Sequence, residues 1–170
     1  LGNILLGDDG LGVHALLKLR DALPDVRVQC LDGGTLGAGL LPYLEHATHV
    51  LFLDAIDAPA ALRAEGDVLD LPLDVESGDF ALRVSPHDLG LLELVRLLRV
   101  RVGDRPLTLR LLGARPGSLD VGTELSYAAE RALPHLVAHA ATMVRAWLRE
   151  ADAGEETTPC ASPSPARSSR

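Results

Sequence analysis

The sequence lacks the features that mark membrane, secreted or nucleic-acid-binding proteins. No apolar run reaches the eighteen or so residues that a membrane span needs, and candidates such as THVLFLDAI are interrupted by polar groups. The chain also starts without the basic and then apolar pattern of a signal peptide. Its formal net charge of −8 makes most of the surface repel a phosphate backbone. We therefore expect binding to neither a membrane nor a nucleic acid.

Cysteine is also scarce, since Cys30 and Cys160 are the only two in the sequence. Cys30 falls in a strand-like stretch, whereas Cys160 falls in a Ser/Pro-rich tail. A disulfide between them would tie a core strand to an unstructured end, so we expect reduced thiols and a cytoplasmic location. The cysteines and histidines do not have the spacing of a structural zinc site either.

What is present is the composition of one globular domain: 170 residues, of which 47% are hydrophobic and 24% charged. We predict a single α/β domain over residues 1–150. From residue 151 the apolar periodicity ends, so 151–170 is predicted to be a disordered tail. Only Leu1 precedes the first glycine turn, which leads us to expect that the first strand of the sheet is truncated in this sequence.

Strand-like and helix-like segments alternate along the chain. The predicted strands are residues 26–32, 49–57, 66–74 and 105–114. The predicted helices are residues 11–23, 36–47, 88–100 and about 123–150. Such alternation indicates an α/β sandwich with a mainly parallel sheet.

Several carboxylates and one histidine fall where predicted strands end or helices begin. Asp8 and Asp9 lie in the first glycine turn, Asp54 lies in an apolar strand, and His87 lies just before a helix. In parallel α/β sheets, ligands bind at the edge where the strands end. Two or three carboxylates and one imidazole at that edge would suit a metal ion with oxygen and nitrogen ligands and an open coordination position.

Each of these residues also has a purely structural explanation. Asp8 or Asp9 could accept hydrogen bonds at the start of a helix. Asp32 precedes two glycines, which is ordinary turn chemistry, and His87 follows Ser-Pro, as a capping or surface residue would. Asp54 is harder to explain in this way, because a buried carboxylate costs several kcal/mol unless it is paired or bound; a solvated strand end would relieve that cost.

Other catalytic patterns are weaker. There is no G-x-S-x-G motif, and Ser85 precedes a proline in a predicted loop. Cys30 lies in a predicted strand, which favours an inert buried thiol. The glycine-rich stretches match neither a dinucleotide-binding nor a Walker motif. His135 and His139 are four residues apart without a glutamate between them, and we interpret them as structural or solvent-facing.

Five segments, taken together and in order, resemble the [NiFe]-hydrogenase maturation endopeptidases, which trim the C-terminus of the hydrogenase large subunit. They are GNILLGDDGLGV, LDGGTLG, LDAID, SPHDLGL and LLGARPGSLDVGTELS. The resemblance covers residues 1 to about 148. It implies a three-layer α/β/α sandwich of the phosphorylase/hydrolase-like kind around a twisted, mostly parallel sheet. It also implies a metal-binding, catalytic site formed by Asp9, Asp54 and His87. It also implies a substrate-binding segment of four consecutive residues, Asp32, Gly33, Gly34 and Thr35.

The resemblance further implies an aspartate- and metal-dependent reaction, the hydrolysis of one peptide bond in the large-subunit precursor after nickel insertion. The nickel would arrive with the substrate, so no tightly bound resident metal is expected, and the enzyme would act as a monomer. A bound metal ion would polarise the carbonyl or lower the pKa of a water molecule. Two alternatives remain: a non-catalytic nickel-sensing or chaperone protein for the large subunit, and a generic zinc-dependent hydrolase.

Overall fold

The computed structural model describes residues 1–57, 63–73 and 88–156. Within these ranges no helix combines the length and the apolar character required to cross a lipid bilayer. Two short 3-10 turns occupy Gly7–Gly10 and Gly37–Leu40. The strands are β1 (His49–Ala55), β2 (Val68–Pro72) and β3 (Thr108–Ala114). The α-helices are α1 (Leu11–Ala22), α2 (Leu41–Leu44), α3 (Asp88–Val102) and α4 (Tyr127–Glu156).

The three strands form one sheet in the order β1-β3-β2. β1 runs parallel to β3, with Asp54 opposite Gly113, and β2 runs antiparallel to β3, with Val68 opposite Ala114. The described part of the sheet is therefore mixed, with one parallel and one antiparallel pairing. Because β1 and β3 are parallel, their carboxyl ends lie at the same edge, where open α/β sheets bind ligands.

Helices cover both faces of this sheet. Leu53 and Leu112 pack into one core with α1 and α4. Phe52 and Leu111 pack into a second core with α3 and with the segment around α2. Consecutive strand residues point to opposite faces, so neighbours in sequence contribute to different cores. The arrangement confirms the predicted α/β class, with a sheet between two helical layers.

α1 lies unusually close to the end of β1. A Cβ atom on Gly12 would lie 2.2 Å from the backbone oxygen of Leu53 and 2.6 Å from that of Leu1. No larger residue fits there without moving the helix. The close approach fixes the turn that precedes α1, and with it Asp9, beside the carboxyl end of β1.

The predicted strand at 26–32 is wrong, because this segment contains a turn and no strand. The backbone nitrogen of Val28 donates to the backbone oxygen of Asp25 at 3.0 Å, and that of Arg27 donates to the Asp25 carboxylate at 2.9 Å. The Arg27 guanidinium also pairs with Asp25 and with Asp152. These local bonds satisfy polar groups that a strand would have used in a ladder.

Two helix boundaries also differ from the prediction. The predicted helix at 36–47 is a 3-10 turn followed by one turn of α2, with Pro42 at its start. α4 continues to Glu156, so residues 151–156 of the predicted disordered tail are helical. Alanine and glutamate in this stretch favour a helix, and the ion pair of Asp152 with Arg27 attaches the helix end to the body of the protein. Residues 157–170 lie outside the described part.

The first two residues are held beside β1. The nitrogen of Leu1 donates to the backbone oxygen of Leu53, and that of Gly2 donates to the backbone oxygen of Gly34 at 3.1 Å. A groove of about 520 Å³ continues along β1, lined by residues 48–53 and by residues 27–33. The expectation of a further strand upstream of Leu1 stays a prediction.

Candidate active site

The adjacent aspartates of the first glycine turn have different surroundings. Asp8 is completely buried, and it is the only buried polar or charged residue in the described part of the chain. Asp9 is partly exposed. Since burial of a carboxylate requires full hydrogen bonding, the two side chains must serve different purposes.

Asp8 is held by a segment that lies far away in the sequence. Its carboxylate accepts hydrogen bonds from the backbone nitrogens of Gly117 at 2.7 Å, Ser118 at 3.1 Å and Ser126 at 2.7 Å. It also accepts one from the Ser126 hydroxyl at 2.7 Å. Burial raises the pKa of Asp8, but the bonds from Ser126, Gly117 and Ser118 outweigh burial and hold the pKa below its ordinary value.

The helix-start explanation, which the sequence left open for Asp8 or Asp9, does not hold for α1. α1 has Gly10 at its N-cap position, and no side chain caps it. Asp8 instead supports the start of α4, because the Ser126 hydroxyl that it binds also accepts a hydrogen bond from the backbone nitrogen of Ala129 at 3.3 Å. The side chain thus joins the first glycine loop to the segment 117–126.

Asp9 faces the other way, towards the first residues of the chain. Its Oδ2 accepts a hydrogen bond from the backbone nitrogen of Asn3 at 2.7 Å, and its own backbone nitrogen donates to Leu6 at 3.1 Å. Two contacts therefore hold the orientation of the Asp9 residue, one to its side chain and one to its backbone.

Asp54 reaches the same place from the end of β1. Its side chain is half-buried, and Oδ1 accepts a hydrogen bond from the backbone nitrogen of Ala55 at 2.9 Å. A Cβ atom on Gly2 would lie 1.8 Å from the backbone oxygen of Asp9 and 3.3 Å from Oδ1 of Asp54. Gly2 has a φ of +99°, which favours glycine. Gly2 therefore lies beside both the backbone of Asp9 and the carboxylate of Asp54.

The third predicted ligand, His87, lies outside the described residues, so its position stays a prediction. α3 begins at the next residue, Asp88. The start of α3 passes close to the 3-10 turn Gly37–Leu40, since a Cβ atom on Gly37 would lie 3.7 Å from the Cα atom of Gly90. Among the residues that the structure describes, no group of three or more His, Cys, Asp or Glu side chains could hold a metal ion.

The predicted substrate-binding segment is a turn attached to the same glycine. Oδ1 of Asp32 accepts a hydrogen bond from the nitrogen of Gly34 at 3.0 Å, which confirms the turn chemistry. Asp32 and Thr35 are exposed, whereas Gly33 is buried. Gly34 accepts a hydrogen bond from Gly2. The segment is therefore hydrogen-bonded to Gly2, which lies beside Asp9 and Asp54. Its role in substrate binding stays a prediction.

The sequence analysis missed two supporting parts of this site. The role of Gly2 depends on backbone contacts with Asp9 and Asp54, which no local pattern reveals. The segment that binds Asp8 was part of the resemblance, but we assigned no residue in it. One signal was available, because a serine directly before a helical pattern is a typical helix start, and Ser126 fits that description.

The fold and the site define an α/β protein with two acidic side chains at the carboxyl edge of its sheet. A family model described as hydrogenase maturation protease matches residues 13–143. The chain therefore belongs to the hydrogenase maturation protease family and is an endopeptidase, as the five segments predicted.

Individual relatives agree with this assignment. The hydrogenase 2 maturation protease of Escherichia coli is 38% identical over 122 residues, which cover 71% of this chain and 72% of that protein. The hydrogenase expression/formation protein HupD of Rhodobacter capsulatus is 33% identical over 153 residues, which cover 86% and 70%. The structure of the hydrogenase maturating endopeptidase HybD from E. coli matches with a TM-score of 0.71 and 35% identity, over 88% of this chain and 89% of that one.

Proposed function

We propose that this endopeptidase removes the C-terminal extension of a [NiFe]-hydrogenase large-subunit precursor after nickel insertion, and that it recognises the bound nickel. The observation that carries the proposal is at the carboxyl edge of the sheet, where Gly2 lies beside the Asp9 backbone and the Asp54 carboxylate, and Asn3 binds the Asp9 carboxylate. Within a chain of the hydrogenase maturation protease family, this pair is the natural place for the chemistry.

The nickel ion belongs to the substrate in this proposal, and Asp9, Asp54 and His87 are the residues that hold it during the reaction. Two carboxylates and one imidazole are oxygen and nitrogen donors of a kind that divalent nickel accepts, and three ligands leave coordination positions open. When bound, the ion supplies electrophilic polarisation of the scissile carbonyl or of a water molecule. No tightly bound resident metal is part of the proposal.

The chain's own residues orient the reacting groups. The bond from Asn3 fixes one oxygen of Asp9, and the bond from Ala55 fixes one oxygen of Asp54. A carboxylate of this pair then accepts the proton that the attacking water molecule loses. The fixed geometry lowers the reorganisation needed during the reaction.

The segment from Asp32 to Thr35 contributes to substrate recognition in this proposal. A Cβ atom built on Gly34 has no other atom within 4 Å, and the residue has a φ of +43°. The backbone is thus open to approach by another polypeptide at this point. Its exposed neighbours Asp32 and Thr35 offer hydrogen-bonding groups to the segment that is cut.

We place the enzyme in the cytoplasm as a monomer. The location rests on the two cysteines of the sequence, which we do not expect to form a disulfide. Burial raises the pKa of the Cys30 thiol, partly offset by Arg20, and so favours the protonated, unreactive form. Light scattering on the purified protein measures the mass and would detect a dimer.

The test is a processing assay with nickel-loaded and nickel-free precursor, read by intact-mass spectrometry. We expect the wild type to shorten only the nickel-loaded precursor, and Asp9→Ala, Asp54→Ala and His87→Ala to leave it uncut while remaining folded. Normal processing by all three variants would show that the site is wrong.

The same assay separates the alternative functions. A precursor that binds but is never shortened by the wild type would indicate a non-catalytic chaperone. Stoichiometric zinc in the purified protein, with cutting independent of nickel, would indicate a zinc-dependent hydrolase.

A further inference from the structure

Two adjoining loops beside the candidate site expose large apolar side chains. Leu5 is 57% exposed and Val121 is 90% exposed. In the same loops, Ile4, which precedes Leu5, is 49% exposed, and Leu119, two residues before Val121, is 45% exposed. We refer to Ile4, Leu5, Leu119 and Val121 as the apolar ridge. Clustered exposed apolar side chains on a folded protein mark interaction sites more often than chance.

Backbone hydrogen bonds join the two loops of the ridge. The nitrogen of Gly122 donates to the oxygen of Leu5 at 2.9 Å, and the nitrogen of Gly7 donates to the oxygen of Gly122 at 2.8 Å. Leu6 and Gly122 form a parallel bridge, which sets Leu5 beside Val121. The buried carboxylate of Asp8, in the first loop, also accepts hydrogen bonds from Gly117 and Ser118 at the start of the second loop. The ridge is therefore held in place before any partner binds, which reduces the entropy lost on binding.

The apolar ridge borders the candidate site directly. Ile4 follows Asn3, whose backbone nitrogen is bound by Asp9. A Cβ atom on Gly10, next to Asp9, would lie 3.0 Å from the Cα atom of Ile4. A polypeptide bound at Asp9 is therefore within reach of this edge of the protein.

We propose that the apolar ridge docks an apolar patch on the folded body of the large-subunit precursor, so that the C-terminal extension reaches Asp9 and Asp54. This inference rests on the proposed function. A protease that acts on a protein must hold that protein against the surface around its catalytic groups, and the ridge contributes apolar side chains to that surface.

Charge argues for this occupant over a second copy of the chain. Each copy has a formal net charge of −8, so two copies repel each other. The exposed carboxylate of Asp120 lies between Leu119 and Val121. The complementary patch on the precursor is therefore expected to be apolar and flanked by lysine or arginine.

The experiment measures binding of nickel-free precursor to the wild type and to two matched variants. Val121→Asp places a charge in the ridge. Val26→Asp makes the same change at an equally exposed turn residue, whose side chain is 103% exposed. Val26 follows the far end of α1, a helix of 12 residues that is about 18 Å long. We expect Val121→Asp to weaken binding about tenfold or more, and Val26→Asp to bind like the wild type.

The unfolding temperature of each protein shows whether a variant is misfolded. A second ridge variant, Leu5→Ser, is expected to weaken binding as well. Equal binding by all the proteins, or no binding of precursor to the wild type, would overturn the docking proposal. A wild-type dimer that Val121→Asp dissociates would overturn it as well, because the occupant would then be a second copy. If Val121→Asp weakens binding but the wild type leaves nickel-loaded precursor uncut, docking stands and the proposed function fails.

Discussion

Asp8 and Asp9 are neighbours of identical chemistry, yet the fold uses them in opposite ways. Asp8 is buried and binds Gly117, Ser118 and Ser126. Asp9 is partly exposed, and its carboxylate accepts a hydrogen bond from Asn3. Its backbone lies beside Gly2, which also borders the carboxylate of Asp54. The Asp8 side chain joins two distant segments of the fold, and the Asp9 side chain lies in the candidate site.

The local backbone explains how one step along the chain separates the two roles. Asp8 and Asp9 lie in a 3-10 turn, Gly7–Gly10. With three residues per turn, consecutive side chains leave the axis roughly 120° apart. One aspartate can therefore point into the protein while the next points towards the sheet edge. Two adjacent residues of the same type in a sequence motif can therefore have different roles.

The largest effect that we expect is the loss of activity in Asp54→Asn. The amide keeps an oxygen that can accept the hydrogen bond from Ala55, but it removes the negative charge and the basic group. We expect precursor cleavage to fall on the order of a thousandfold, measured by single-turnover mass spectrometry. Asp57→Asn, an exposed aspartate in the following loop, is the matched control, and an equal loss there would argue against a specific role of Asp54.

The next effect is on stability and concerns Asp8→Ala. The variant would leave the nitrogens of Gly117, Ser118 and Ser126 without their acceptor in a buried place. We expect the free energy of unfolding to fall by about 3 kcal/mol or more, measured by urea denaturation. Asp9→Ala, which loses one bond at a partly exposed position, should cost about 1 kcal/mol. Similar losses in the two variants would remove the distinction between the aspartates.

Acid should reveal the same distinction in the wild type. The pKa of Asp8 is lower in the folded protein than its ordinary value of 3.8. Its contribution is therefore fully present well above pH 3.8 and is lost as the pH falls below that value towards the folded pKa. We expect the unfolding free energy of the wild type to fall more steeply than that of Asp8→Asn between pH 5 and pH 3, measured by urea denaturation at each pH. Parallel pH profiles would contradict the assignment.

A smaller effect is expected from Ser126→Ala. The Ser126 hydroxyl donates to Asp8 and accepts from Ala129 at the start of α4. Its removal should cost about 1–2 kcal/mol of stability, measured by thermal unfolding. Ser118→Ala is the control, because the Ser118 hydroxyl bonds only with exposed Asp120, and its loss should cost less than about 0.5 kcal/mol.

Periodicity predicted the elements whose burial is continuous along the sequence. α1 and α3 bury leucines at helical spacing, and β1 and β3 bury runs of apolar residues. Residues 26–32 have a similar apolar content, but Asp25 and Arg27 make local bonds that hold a turn instead. A pattern of side-chain polarity cannot show whether a strand partner exists or whether a neighbouring aspartate closes a turn.

The sequence identified candidate acidic residues for the site, but it did not identify the residues that hold them in place. Strand ends and glycine turns pointed to Asp54 and left Asp8 and Asp9 open, and the resemblance selected Asp9. The structure places Asp9 and Asp54 beside Gly2, and their roles stay a prediction. The function of Asp8 depends on partners 109 to 118 residues away in the sequence, so no local pattern reveals it. Likewise, the position of Gly2 beside the Asp9 backbone and the Asp54 carboxylate depends on long-range packing that no local pattern reveals.

The most direct test compares Asp8→Asn and Asp9→Asn in two measurements on the same preparations, the unfolding free energy and the rate of cleavage of nickel-loaded precursor. We predict opposite outcomes. Asp9→Asn keeps nearly wild-type stability and loses cleavage, whereas Asp8→Asn loses stability but cleaves within about tenfold of the wild type while it is folded. Equal loss of cleavage by both variants at unchanged stability would contradict the division of roles between the two aspartates.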